Sequence, residues 1–222
     1  MIRYLVVILC FITISIGAQE EKRLALVIGN ANYDKGALKN PVNDAELIKK
    51  TLEKLNFDVI FATNLELDRD MKAKIREFGE KRNEYNLGFV YYAGHGIQVG
   101  GENYLLPTKE KFNCENDVLE YGVKVQTIMN YLKSTTNTIN ILVLDACRNN
   151  PLEQNNCPNN SRSLNNEGLA KIVAPTGSLI AFSTSANSTA ADGVGDNSLF
   201  CQSLATNLLK PDKTLNQIFQ DC

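Results

Sequence analysis

The sequence predicts an α/β protein in which helices cover both faces of a mostly parallel central sheet. Three observations indicate this class. Short apolar runs are continuous rather than alternating, which is typical of strands buried on both faces. Longer amphipathic segments separate these runs, as the crossovers between parallel strands require. The 222 residues, 44% of them hydrophobic, suffice for one large domain.

Five apolar runs are predicted to be the strands of this sheet. They are short and rich in β-branched, leucine or aromatic residues. In chain order they are residues 24–29, 57–62, 88–92, 139–144 and 178–183. Because parallel strands end at the same edge of a sheet, the residues that follow these runs are expected to lie close together.

The segments between the strands are predicted to be helices, because apolar residues recur in them at helical spacing. Pro41 stands at a favourable first position of the first helix. The predicted helices cover residues 41–56, 68–81, 124–133, 198–209 and, as a shorter element, 213–222.

One segment divides the predicted domain. Residues 149–166 are rich in asparagine and serine and contain proline, which is typical of a mobile surface loop. The loop separates a larger part, up to about residue 148, from a smaller part over residues 167–222.

The first residues differ in character from the rest of the chain. Arg3 supplies a positive charge, residues 4–16 are almost entirely apolar, and small residues precede a charged segment that begins near Gln19. This is the organisation of a secretory signal peptide. We therefore expect residues 1–18 to be removed and the domain to span 19–222 in a secreted or periplasmic protein. A buried N-terminal strand or a signal anchor is the alternative, although the run is short for a membrane span.

Export makes the cysteine count informative. Of six cysteines, Cys10 lies in the signal and five remain, an odd number that leaves at least one thiol free in an oxidising compartment. Cys114 and Cys157 form the least strained predicted pair, because both lie in polar, loop-like sequence. Cys201 shares a face of its predicted helix with three apolar residues, which predicts a buried core thiol.

Composition disfavours several classes of function. With 23 basic and 25 acidic residues the net charge is −2, so the positive field needed for sequence-independent nucleic-acid binding is missing. Neither glycine-rich phosphate-binding pattern, GxGxxG or GxxxxGK[ST], is present, which disfavours a nucleotide-binding domain. One histidine with scattered carboxylates and no CxxC spacing does not suit a zinc site.

Two residues with catalytic chemistry follow the third and fourth predicted strands. His95, the only histidine in the sequence, lies between Gly94 and Gly96, where glycine permits a tight turn and close approach to a ligand. Cys147 follows a strand that ends in the polar Asp145. A thiol and an imidazole on adjacent strands are the minimum set for nucleophilic catalysis, since the imidazole takes the thiol proton and the thiolate attacks an electrophilic carbon.

The same two positions offer backbone donors. The N–H groups of Gly96 and Cys147 are expected to stabilise the oxyanion that develops during such an attack. A buried structural thiol and a hydrogen-bonded core histidine are the alternative interpretations of Cys147 and His95.

Four ordered motifs carry a resemblance to a known family. They are RLALVIGN at 23–30 followed by Tyr33, LKNPVNDA at 38–45, YYAGHG at 91–96 and LDACRN at 144–149. Together they resemble the landmarks of the caspase-like cysteine peptidases, and most closely the paracaspase and metacaspase-related branch, over roughly residues 23–209. The resemblance implies a caspase-like three-layer sandwich that cleaves peptide bonds, with His95 as general base and Cys147 as nucleophile.

Acidic residues near the predicted nucleophile favour a basic residue before the cleaved bond. Side chains alternate along an extended segment, so Asp145 and Cys147 are expected on the same side, where a carboxylate attracts lysine or arginine. By resemblance to paracaspases, Asp44 joins this pocket, and Asp192 is a third acidic candidate. The alternatives are that Asp44 only complements a helix dipole and that Asp192 is a turn residue.

The resemblance also implies a final edge strand after the last helix. The sequence reaches Cys222 without one, so we expect that strand to be missing or the sequence to be truncated, and we expect a monomer. Some metacaspase relatives use calcium, but no dedicated oxygen-rich loop is present, and no cofactor or metal is expected. The expected partner is a peptide or protein with arginine or lysine at the cleavage site, with no nucleic acid and no stable membrane span after signal removal. A catalytically silent caspase-like module that binds peptides or partners is the alternative function.

Overall fold

Seven strands form one sheet in the computed structural model, which describes residues 21–133, 139–147, 169–183 and 195–222. In chain order they are β1 (Arg23–Gly29), β2 (Phe57–Thr63), β3 (Leu87–Val99), β4 (Glu102–Leu105), β5 (Val123–Lys124), β6 (Ile139–Cys147) and β7 (Ser178–Phe182). Five of them run parallel in the spatial order β2-β1-β3-β6-β7. The predicted α/β class with a mostly parallel sheet is confirmed.

Helices cover both faces of this sheet. They are α1 (Pro41–Lys54), α2 (Asp68–Lys81), α3 (Glu115–Tyr121), α4 (Val125–Lys133), α5 (Leu199–Leu208) and α6 (Leu215–Gln220). Buried side chains of α2 and α4 pack on one face, and those of α1, α5 and α6 on the other. The strands supply both cores because successive side chains alternate: Leu24 and Leu26 face α2 and α4, whereas Ala25 and Val27 face α1 and α5. The result is three layers.

Local sequence explains where the helices begin and end. Pro41 occupies the first turn of α1, where its missing N–H is not needed, and the chain leaves this helix through Asn56 in the left-handed region (φ 59°). Ser198 caps α5, since its Oγ accepts a hydrogen bond from the N–H of Cys201 at 3.1 Å. The Cys201 side chain is fully buried, as its position on the helix predicts.

Strands β3 and β6 extend further than the sequence predicts. β3 continues to Val99 because its last part pairs antiparallel with β4, and β6 follows it in parallel as far as Cys147. His95 and Cys147 therefore lie within strands and not in turns after them. Gly94 is required for close packing, because a Cβ there would come within 2.7 Å of the Tyr33 hydroxyl. The short β4, β5 and α3 were not predicted.

Several predicted features lie outside the described residues. These are the signal peptide, the loop over residues 149–166 and Cys157, the predicted partner of Cys114. Within the described part of the chain, no helix is both long and apolar enough to cross a membrane.

Candidate active site

The two predicted catalytic residues are neighbours across adjacent parallel strands. His95 in β3 is the register partner of Cys147, the last residue of β6. Neighbouring strands lie about 4.8 Å apart, so the two Cα positions are close. The next residue, Gly96, already pairs with Leu105 of β4. The site thus lies where β3 changes from a parallel to an antiparallel partner.

The His95 imidazole is held in one tautomer. Its Nε2 lies 2.6 Å from the carbonyl oxygen of Gly36. A carbonyl only accepts hydrogen bonds, so Nε2 carries the proton in this contact. Nδ1 is buried and has no hydrogen-bond partner among the described residues. The neutral ring therefore presents a bare lone pair at Nδ1, as a general base requires.

Burial also sets the charge state of this ring. The side chain of His95 is 5% exposed. Burial lowers the pKa of His95 below its ordinary value of 6.5, and the Gly36 carbonyl opposes this only in part. The imidazole is therefore neutral at pH 7 and able to accept a proton.

Two tyrosines hold the backbone at His95. The Tyr33 hydroxyl accepts the His95 N–H at 2.9 Å and donates to the carbonyl oxygen of Leu106 at 3.1 Å. The Tyr92 hydroxyl donates to the His95 carbonyl oxygen at 2.8 Å. The Tyr33 ring also packs against the imidazole, with 4.3 Å between ring centroids. Both backbone polar groups of His95 are thereby fixed.

The loop after β1 delivers the Gly36 carbonyl to His95. Gly36 adopts a φ of +70°, and a Cβ at this position would lie 3.3 Å from Nε2, so glycine is favoured on both grounds. The Oδ1 atom of Asn64 anchors the start of the loop by accepting the N–H groups of Ala31 and Asn32 at 2.9 and 3.0 Å. Sequence reasoning missed Gly36, because a backbone acceptor has no residue-type signature beyond a glycine in a polar loop.

Gly96 directs its N–H toward β6. The Leu106 N–H donates to the His95 carbonyl at 3.0 Å, so Gly96 and Leu105 form a non-hydrogen-bonded pair whose polar groups point away from each other. A Cβ on Gly96 would lie 3.0 Å from that of Ala146. The Gly96 N–H, the predicted oxyanion donor, thus lies on the side of β3 that faces β6. The Gly96 backbone packs closely against Ala146 of that strand.

Two of the three predicted acidic residues meet at Ser198. Asp145 Oδ2 accepts hydrogen bonds from the hydroxyls of Tyr91 at 2.8 Å and Ser198 at 3.4 Å. Asp44 Oδ1 accepts the Ser198 backbone N–H and the Asn197 amide, both at 2.9 Å. Asp192, the third candidate, lies outside the described residues. A residue that sequence reasoning did not select, Ser198, therefore joins the two carboxylates.

The two carboxylates differ in exposure. Asp145 is partly exposed, whereas Asp44 is 2% exposed. Burial within the protein raises the pKa of Asp145 above its ordinary value, the neighbouring charge of Asp44 adds to this, and the Tyr91 hydroxyl opposes it. Among the described residues, no lysine or arginine forms a salt bridge with either carboxylate. The arrangement suits a cationic ligand.

Asp44 also has a structural role. It lies in the first turn of α1, where a carboxylate complements the helix dipole, and it binds the capping residue of α5. As far as the described residues extend, no group of three or more histidine, cysteine, aspartate or glutamate side chains is arranged to hold a metal ion.

Comparison with known proteins relates this geometry to a family. The family described as Caspase domain matches residues 22–222. The human mucosa-associated lymphoid tissue lymphoma translocation protein 1 is 30% identical over 129 residues, which cover 57% of this chain and 15% of that protein. Its mouse homologue is 29% identical with the same coverage. The chain thus aligns with a small part of the length of these relatives.

Proposed function

The chain belongs to the caspase domain family, and from this premise we propose that it is a cysteine endopeptidase that cleaves after arginine or lysine. The observation that carries the proposal is the register that pairs His95 with Cys147, next to the carboxylates that Ser198 joins. The membership supports peptidase chemistry. The preference for a basic residue is argued from the acidic residues.

In the proposed mechanism, His95 Nδ1 accepts the proton of the Cys147 thiol. The thiolate attacks the carbonyl carbon of the cleaved bond, a C–S bond forms, and the carbonyl π electrons move to oxygen. The N–H groups of Gly96 and Cys147 stabilise this oxyanion. Collapse breaks the C–N bond while His95 gives its proton to the leaving amine. A water molecule, deprotonated by His95, then hydrolyses the thioester.

The Gly36 carbonyl has a defined part in this cycle. When Nδ1 takes a proton the ring becomes a buried cation, which burial alone disfavours. The carbonyl oxygen 2.6 Å from Nε2 accepts a charge-assisted hydrogen bond from that cation and stabilises it. The loop after β1 therefore acts as the orienting group of the base.

The acidic residues select the side chain before the cleaved bond. A guanidinium or ammonium group binds the partly exposed Asp145, while the buried Asp44, joined to Asp145 through Ser198, adds negative potential. We assign Asp192 as a third acidic contact. An aspartate at this substrate position is repelled by the same charges.

We further propose that residues 1–18 are a signal peptide and that the exported domain works as a monomer without a cofactor. The positive charge, the apolar run and the small residues, in that order along the chain, support the signal-peptide assignment. N-terminal sequencing of the exported protein tests it, with cleavage after Gly17 or Ala18 as the expected result. A retained N-terminus in a membrane fraction would instead support a signal anchor.

Hydrolysis of short fluorogenic peptides tests the proposed function. The protein from residue 19 onward is assayed under reducing conditions with peptides ending in arginine, lysine or aspartate, with calcium and with a chelator. Cleavage after arginine and lysine that disappears in Cys147→Ala is the expected result. Cleavage only after aspartate would overturn the acidic pocket. No cleavage by folded protein would favour a peptide-binding module.

A further inference from the structure

A pocket opens beside His95. It has a volume of about 170 Å³ and is lined by residues of the loop after β1 and of the segment that follows β4, with His95 as one wall. Asp44 and Asp145, by contrast, come from α1 and β6 and meet at the start of α5. Within the described residues, β3 contributes to both the pocket, through His95, and the acidic pair, through Tyr91. The other residues of the pocket and of the acidic pair come from different elements.

The pocket is lined by apolar residues and by charged residues of both signs. Tyr33, Leu106 and Phe112 supply apolar surface, and the charged lining residues are Asp34, Lys35, Glu110 and Lys111. The formal charges of these four lining residues sum to zero. Lys109 bonds to Asp34 at 2.5 Å and so ties the two segments together. Such a pocket favours an apolar group over a charged one.

We propose that this pocket binds the side chain of the first residue after the cleaved bond, and that it selects large apolar side chains. The inference rests on the proposed function. His95 must come within hydrogen-bond reach of the leaving nitrogen to protonate it. Because His95 is itself a wall of the pocket, the residue that carries that nitrogen is the nearest part of the substrate.

The direction in which the substrate peptide runs also supports the side chain after the cleaved bond as the group that occupies the pocket. A peptide whose basic side chain binds Asp145, and whose carbonyl lies at Cys147, has to continue past His95 on its leaving side. Asp145 and the pocket are supplied by different elements, so a ligand of one does not use the residues of the other. A volume of about 170 Å³ equals roughly five or six water molecules, which is room for one leucine-sized or phenylalanine-sized side chain.

Kinetics on internally quenched peptides test the proposal. The peptides have arginine before the cleaved bond and glycine, leucine, phenylalanine or aspartate directly after it. We expect kcat/KM to be about tenfold higher with leucine or phenylalanine than with glycine, and lowest with aspartate. Moving the leucine two positions further along should abolish the gain. Equal kcat/KM for glycine and leucine would overturn the pocket.

Two substitutions of Phe112 test whether the preference for apolar side chains arises in this pocket. Phe112→Ala should reduce the ratio of leucine to glycine kcat/KM to about twofold, and Phe112→Leu, the milder change, to an intermediate value. The matched control is Leu119→Ala, which removes a 52% exposed apolar side chain outside the pocket and should keep the wild-type ratio. An unchanged ratio in folded Phe112→Leu and Phe112→Ala would assign the preference to another surface.

An arginine peptide with only a coumarin leaving group separates this proposal from the proposed function. That substrate has no residue after the cleaved bond. If it is hydrolysed while the extended peptides show no preference, the pocket is refuted and the peptidase stands. If neither kind of substrate is hydrolysed by folded wild-type protein, both proposals are refuted.

Discussion

The proposed base side and the acidic side of the candidate active site are assembled from different parts of the chain. The base side consists of His95 and the groups that hold it, which are Tyr33, Gly36, Tyr92 and Leu106. The acidic side consists of Asp44, Asp145, Tyr91 and Ser198. The base side lies wholly within residues 33–106, whereas the acidic side joins α1 to residues more than 150 positions later.

Because of this difference, the proposed base and the acidic residues depend on different parts of the fold. Backbone groups and two tyrosines, all within residues 33–106, position His95. The acidic side exists only when the start of α5 docks on α1. We therefore expect changes on the acidic side to alter substrate choice and stability while His95 keeps its properties.

The largest effect is expected on the base side. His95→Ala removes the proton acceptor and should lower kcat/KM for an arginine substrate by about 10³-fold. Binding of a non-cleavable arginine peptide, measured by fluorescence anisotropy, should change less than about threefold because the carboxylates remain in place. Cys147→Ala is the matched variant for the binding measurement. Loss of peptide binding in His95→Ala would show that the two sides are not separable.

Charge removal on the acidic side should have the next largest effect. Asp145→Asn keeps an oxygen acceptor for Tyr91 and removes the charge, so kcat/KM for arginine substrates should fall by about 100-fold, mainly through KM. Asp58→Asn is the control, because Asp58 is an exposed carboxylate in β2 that bonds to Tyr85. A loss confined to kcat would mean that Asp145 acts on the chemistry and not on substrate binding.

The buried Asp44 should affect stability more than the partly exposed Asp145. Asp44→Ala leaves the Ser198 N–H and the Asn197 amide without their acceptor. The free energy of unfolding, measured by urea denaturation, should fall by about 1–3 kcal/mol. Asp145→Asn should change it by less than about 1 kcal/mol, since its hydrogen bonds survive. An equal free energy of unfolding for the wild type and Asp44→Ala would show that Asp44 has no structural role.

The pH dependence should separate the two sides. The pKa of His95 is lowered, so the imidazole stays neutral down to pH values below 6.5 and activity declines, up to tenfold per pH unit, only below that point. The pKa of Asp145 is raised from 3.8, so its protonation weakens substrate binding at acidic pH. Because His95 is the only histidine, NMR titration of its ring in Cys147→Ala measures the base directly. A ring pKa above 6.5 would contradict the assigned environment.

Side-chain chemistry and periodicity predicted a large part of this molecule. The apolar runs predicted all five parallel strands, and α2 occupies the predicted residues 68–81. The histidine, the cysteine and two of the carboxylates were selected from residue type and from the family resemblance, and the structure makes the first two register partners and joins the other two through Ser198.

The missed features share a physical cause. β4 and β5 contain four and two residues, too few to show a period, and their pairing depends on β3. The Gly36 carbonyl acts through the backbone, which every residue has. Tyr33 belongs to a motif of the resemblance, but its role and that of Ser198 depend on partners distant in sequence. Such contacts depend on tertiary packing, which a single sequence does not display.

Ser198 has a consequence for how this peptidase domain can evolve. It caps α5, so the partial positive charge of that helix start faces Asp44. An ancestral or descendant enzyme with arginine in place of Asp44 would bring a cation to that helix start and leave the Ser198 N–H without its acceptor. Under the proposed function, reversal of the substrate charge therefore requires a rebuilt helix start as well as a new pocket residue. A change of the proposed preference from arginine to lysine would require neither.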